Sequence, residues 1–88
     1  MSTAVSRDAR IKRVEVSEEM ITAHLADGRI ISVPLAWSWR LVSATPAQRA
    51  NHEIFGDGQG VHWPDVDEDI SAESMLTGIP ARPPKTRA

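Results

Sequence analysis

Gly60-Val61-His62-Trp63-Pro64-Asp65-Val66-Asp67-Glu68-Asp69-Ile70-Ser71 holds a strand, a stop, a charged loop and a helix start within twelve residues. Val61 and Trp63 alternate with His62, so they share one face of a short strand over residues 60–63. Pro64 lacks an amide hydrogen and ends that ladder or sits at its edge. Asp65, Asp67, Glu68 and Asp69, broken only by Val66, then form an acidic loop. Ser71 is placed to cap a helix over residues 71–77 by accepting a first-turn amide. Ile70 before the cap and Met75 after it fit a hydrophobic staple. Glu73 suits the positive end of the helix, Gly78 supplies its left-handed close, and Pro80 forbids continuation.

Working back from that stretch, Gly56-Asp57-Gly58-Gln59-Gly60 is a glycine-rich turn, and His52–Phe55 makes a strand that returns through it. Thr45-Pro46-Ala47-Gln48 has the form of a capping box with proline in the first helical position, predicting a helix over 46–51. Trp37, Leu41 and Ala44 recur at helical spacing and predict another over 36–43. Earlier still, the pattern is alternation. Val14 and Val16 share a face of a strand over 11–16. Ile21, Ala23 and Leu25 share one over 20–26, and Ile31 and Val33 one over 29–33. Asp27-Gly28 between the last two predicts a two-residue type I′ hairpin, with Gly28 supplying positive φ. The expected architecture is therefore α+β: a small antiparallel β-sheet of about five strands with two or three short helices. Residues 1–10 are expected to be a flexible N-terminus, 11–78 a single domain, and 79–88 a disordered proline-rich tail. Gly28, Trp63, Pro64 and Ser71 are the structural anchors of this reading.

Composition removes several function classes. The chain has 88 residues and a formal charge of −2, so no general basic field argues for nucleic acid. Cysteine is absent, which removes disulfides, thiolate nucleophiles and zinc–cysteine sites together. No apolar run approaches the roughly 20 residues a membrane-spanning helix needs, and no signal peptide is read at the N-terminus. The expected location is the cytoplasm. A chain this short buries a modest share of its surface, so a dimer or a partner is expected.

The combined pattern resembles a known family. Asp27-Gly28, Val33-Pro34-Leu35-Ala36-Trp37, Arg40-Leu41, Ala44-Thr45-Pro46, Gln48-Arg49, Asn51, Gly58, Gly60, His62-Trp63-Pro64 and Asp67-Glu68-Asp69-Ile70-Ser71 together resemble the bacterial domain of unknown function 2442. The resemblance covers about residues 11–78 and departs at Trp39, where that family's pattern has proline. It implies a small α+β domain without an established activity. It also implies a gene often set beside that of another small protein, an arrangement like that of toxin–antitoxin pairs. Some relatives carry an added DNA-binding helix-turn-helix after this domain, and none is expected here.

Individual residues narrow the candidates. Asp65, Asp67 and Asp69 match the first three positions of a calcium loop, but Ile70 and Leu76 stand where its glycine and bidentate glutamate belong. They are metal candidates that a capping role displaces, with one acid of the loop pairing with Arg40 or Arg49. His24, His52 and His62 lack ligand spacing. No nucleophile elbow or phosphate loop is present, so no catalytic residue and no cofactor are assigned. Trp37 and Trp39, two apart on a helix, point about 200° from each other, so one of them faces solvent or another chain. Trp37, Trp39, Arg40 and Leu41 are accordingly the candidate partner-binding residues, with Leu35 and Val42 beside them. The expected function is protein interaction, as one member of a toxin–antitoxin-like pair, with another small protein or a second copy as partner. The alternatives are a metal-dependent or other small enzyme using the acidic loop, and a nucleic-acid accessory protein.

Overall fold

Apolar–polar alternation in the first half of the chain produces a three-stranded antiparallel sheet in the order β1-β2-β3. The computed structural model describes residues 8–78. In it β1 is Ile11–Val16, β2 is Met20–Leu25 and β3 is Ile30–Pro34. Ile21, Ala23, Leu25 and Val33 turn inward, while Ile30 stays exposed. The register of β1 passes from Ile11 opposite Leu25 to Arg13 opposite His24, so Lys12 is an extra residue. This bulge lets Ile11 and Val14, three positions apart, both face the core.

The β2–β3 loop is not the two-residue type I′ turn. Leu25 donates its amide to Arg29 at 2.9 Å, and Gly28 donates to the Leu25 carbonyl at 3.0 Å. Of the loop residues Ala26, Asp27 and Gly28, only Gly28 has positive φ, at 94°. That is a three-residue loop closed by a left-handed glycine. Asp27 keeps negative φ and uses its carboxylate locally, accepting the Arg29 amide at 3.0 Å and Nε at 2.9 Å.

The helix expected over 36–43 is broken. Leu35–Trp37 form a single 3-10 turn, Ser38 is extended, and α1 spans only Trp39–Val42. Ser38 breaks the run because its hydroxyl caps α1, accepting the Leu41 amide at 3.3 Å. The next helix, α2 (Pro46–Ala50), starts as its sequence predicts. Thr45 accepts the Gln48 amide at 3.1 Å, and the Gln48 side chain accepts the Thr45 amide at 2.9 Å.

The second half forms a separate sheet in the order β4-β5-β6, comprising Glu53–Phe55, Gly60–Trp63 and Glu68–Ser71. The expected single sheet of five strands is thus two sheets of three. The sixth strand comes from the acids assigned on sequence to a loop. Only Pro64, Asp65, Val66 and Asp67 turn the chain, with Asp67 at φ 54°. Glu68 then lies opposite Trp63, Asp69 opposite His62 and Ile70 opposite Val61. Acidic residues are poor strand formers, but an edge strand keeps part of its surface wet and tolerates them. Ser71 closes β6 and caps α3 (Ala72–Thr77), accepting the Ser74 amide at 3.0 Å, and Gly78 ends α3 at φ 79°.

The sheets meet rather than merge. Ile11 donates its amide to the Gly58 carbonyl at 2.8 Å. Gly58 sits so close to β1 that a Cβ there would lie 2.7 Å from the Arg10 Cβ. The apolar faces of both sheets, with Leu35, Leu41, Ala72 and Met75, share one buried cluster around Trp63. Residues 8–10, grouped on sequence with the N-terminus, already belong to the fold. Asp27 and Ala26 donate backbone amides to Asp8 and Arg10 at 3.1 and 2.8 Å. The Arg10 guanidinium beside Asp8 holds that carboxyl down to about 2. The rest of the expected loose N-terminus and the proline-rich tail, residues 1–7 and 79–88, lie outside the described residues.

Candidate functional site

The strand–cap succession that ends β6 and starts α3 also builds one wall of a cleft of about 320 Å³. Ile21, Val33, Trp37, Phe55, Ile70 and Met75 give it apolar walls, and Ser38, Asp69, Ser71 and Ser74 its polar atoms. Asp69, Ile70 and Ser71 are consecutive on a strand, so their side chains alternate between its two faces. A cavity touching all three runs along the edge of β6. Phe55 reaches the cleft because Gly60, opposite it on β5, has no side chain: a Cβ on Gly60 would lie 2.5 Å from the Phe55 ring. Phe55 remains 40% exposed although it borders apolar residues.

The four residues expected to bind a partner separate into two sets. Trp37 is half-buried, packs on the core and borders the cleft. Trp39 is also half-buried, with the Arg40 guanidinium 4.6 Å from its ring centroid. Neither tryptophan is left wholly outside, because extended Ser38 replaces the helical turn that would have set them about 200° apart. Leu41 is fully buried and Leu35 nearly so; both are core residues and cannot form the apolar centre of a contact surface. The break at Ser38 turns α1 so that Leu41 faces inward and Val42 outward.

Beneath this surface is a buried polar network. Ser38 donates its hydroxyl to Glu68 Oε2 at 2.5 Å, and the Asp69 amide donates to Glu68 Oε1 at 3.1 Å. Arg40 Nη1 lies 3.8 Å from Glu68 Oε1 and donates to the Asp67 carbonyl at 2.6 Å. Ser38 and Glu68 are both almost wholly buried. The expected pairing of one loop acid with Arg40 is therefore present, but the acid is held in a strand. Ser38 carried no sequence signal beyond its place between two tryptophans. Glu68 opposite Trp63 becomes recognisable only once β6 is known to be a strand. Arg49 anchors the other side: its Nε and Nη2 donate to the Leu41 and Val42 carbonyls at 2.9 and 3.1 Å. Its own carbonyl accepts Trp63 Nε1 at 3.0 Å.

The sequence pattern of the family described as protein of unknown function (DUF2442) matches residues 11–81. The chain belongs to this family. Two solved structures resemble the DUF2442 chain in fold. A protein of unknown function from Rhodospirillum rubrum is 27% identical over 83% of this chain and 90% of its own, with a TM-score of 0.71. An uncharacterised protein from Chromobacterium violaceum is also 27% identical, over 83% of this chain and 69% of its own, with a TM-score of 0.70. Curated proteins give no match.

In this DUF2442 chain the metal candidates Asp65, Asp67 and Asp69 are spread over a turn and a strand. Asn51 Nδ2 donates to Asp65 at 2.9 Å, Asp67 takes the left-handed backbone position, and Asp69 Oδ1 lies 2.5 Å from His62 Nδ1. Among the described residues, no three His, Cys, Asp or Glu side chains are grouped to hold one ion. Nor is any described helix long and apolar enough to cross a membrane.

Asp69 raises the pKa of His62 above its ordinary value by hydrogen bonding, with Glu53 and Asp67 adding to the negative field. The proton is thus bound more tightly in the folded chain. The pair's contribution to stability is full below the unfolded value near 6.5 and is lost as pH rises through the folded value. An NMR titration of the His62 ring should give a midpoint above the ordinary one, and Asp69→Asn should bring it down. A midpoint unmoved by Asp69→Asn would contradict this.

Proposed function

We propose that this chain is a non-enzymatic protein-interaction module. Its contact surface is the cleft at β6 together with the adjoining rim of Trp37, Trp39 and Arg40. The observation that carries this reading is the cleft itself, an apolar cavity bordered by a half-buried tryptophan and an exposed phenylalanine. Large aromatic side chains that stay partly open to water cost solvation free energy in the free chain and recover it on contact. Tryptophan and arginine are the residue types that most often dominate binding energy. The partner is a small protein, and the first to test is the product of a neighbouring gene, as in toxin–antitoxin-like pairs.

Sedimentation velocity of the purified chain, alone and with the neighbouring gene's product, tests this reading. A defined complex is expected, and Trp37→Ala should weaken it at least about tenfold while the circular dichroism spectrum is retained. A monomer at all concentrations that ignores the neighbour's product would refute it.

A further inference from the structure

The cleft has dimensions and backbone chemistry that bear on the kind of partner segment it takes. Its volume of about 320 Å³ is at the small end of binding pockets, which span about 300–1,000 Å³. Such a cavity has room for one large apolar side chain of a partner, and the strand edge beside it favours an extended segment as the carrier.

β6 supplies the backbone for such a segment. It pairs with β5 on one side and, among the described residues, with no strand on the other. In an antiparallel strand, alternate residues turn both backbone groups away from their partner. The Asp69 amide, bonded to the Glu68 side chain at 3.1 Å, marks Asp69 as one such residue, and Ser71 as the next; with the Ser71 carbonyl accepting Ser74 Oγ at 2.9 Å, the edge offers a partner strand the Asp69 carbonyl and the Ser71 amide. Both border the cleft. The register then sets the charges. Glu53 lies opposite His62, and His62 opposite Asp69, so this acid–histidine–acid row crosses the outer face of the sheet. Glu53, Asp67 and Asp69 are all exposed there. Ile70, whose side chain borders the cleft, points to the opposite face.

We propose that the partner docks as an extended, basic strand along the free edge of β6. One large apolar side chain enters the cleft between Trp37, Ile70 and Met75, and the lysine or arginine beside it in sequence meets Asp69. The alternation of a strand requires this pairing, since neighbours in sequence face opposite sides. The proposal rests on the reading of the cleft as a contact surface and specifies how a partner uses it.

The probe is a capped hexapeptide, Lys-Val-Lys-Leu-Lys-Val, titrated into the full chain and followed by ¹⁵N NMR and amide exchange. Shifts at Asp69, Ile70, Ser71 and the Trp37 indole are expected, with exchange at the Ser71 amide slowed at least about tenfold. N-methylation of the peptide's central backbone amides, or replacement of its lysines by glutamates, should weaken binding by a similar factor. Equal binding of the methylated or acidic peptide would overturn the proposal. So would binding that appears only after residues 79–88 are removed, which would assign the cleft to the chain's own C-terminal segment. Chain dimers dispersed by the peptide would assign it to a second copy instead. If no peptide binds but the neighbouring gene's product still associates through Trp37, the strand mode is wrong and the interaction reading stands.

Discussion

Trp63→Ala is expected to destabilise the chain by about 3–5 kcal/mol, comparable to most of the stability a domain this small possesses. Trp63 is fully buried at the point where the two sheets share their core. Its indole also donates to the Arg49 carbonyl at 3.0 Å, and its ring lies 5.6 Å from that of His52. Truncation therefore removes the largest buried side chain and strands a backbone acceptor. The same arginine closes the end of α1 through the Leu41 and Val42 carbonyls, so loosening Arg49 also loosens the segment that carries Trp39. Trp63→Phe keeps most of the apolar volume and should cost less, about 1–3 kcal/mol for the lost bond and the residual cavity. Urea unfolding followed by circular dichroism checks both. An unchanged midpoint for Trp63→Ala would show that the shared core is organised around something else.

Glu68→Ala should be the next most damaging change, at about 2–4 kcal/mol, because it removes the acceptor of one buried and one part-buried donor. The Ser38 hydroxyl and the Asp69 amide both bond to this carboxylate. Arg40 adds little, since its side chain is 38% exposed and stays solvated after the change. Glu68→Gln retains one acceptor oxygen and should cost clearly less. Equal losses for alanine and glutamine, again from urea unfolding, would mean that the hydrogen bonds are not what Glu68 supplies. The link to function is mechanical. Glu68 holds Ser38, and Ser38 is the residue that divides the Trp37 turn from the Trp39 helix.

Much of this was legible from residue order, and the failures have physical causes. Strands β1 to β3 and β5 follow from alternation, and the caps at Thr45 and Ser71 follow from local hydrogen bonding, which is encoded within a few residues. β6 was hidden because Asp67-Glu68-Asp69 carries loop chemistry, and only pairing with His62 and Trp63 makes it a strand. The division into two sheets was hidden for a similar reason. Whether two edges join depends on long-range contacts such as Ile11 with Gly58, which no periodicity reports. At the candidate site, Trp37 could be singled out by residue type alone. Leu41 was misplaced because a continuous helix was assumed through Ser38, and the Ser38–Glu68 bond that stops it spans 30 positions. Phe55 was missed as a cleft residue because its position depends on the bare backbone at Gly60 across the strand pair.

The indole resonances give the most direct test of the central claim that the cleft and its tryptophan rim are a contact surface. The chain has three tryptophans, so its ¹⁵N–¹H spectrum should contain three indole signals, assignable from single Trp→Phe variants. On titration with the associating protein, the Trp37 signal should shift strongly and the Trp39 signal with it, while the signal of buried Trp63 stays in place. A complex that forms with the Trp37 indole unmoved would contradict the account.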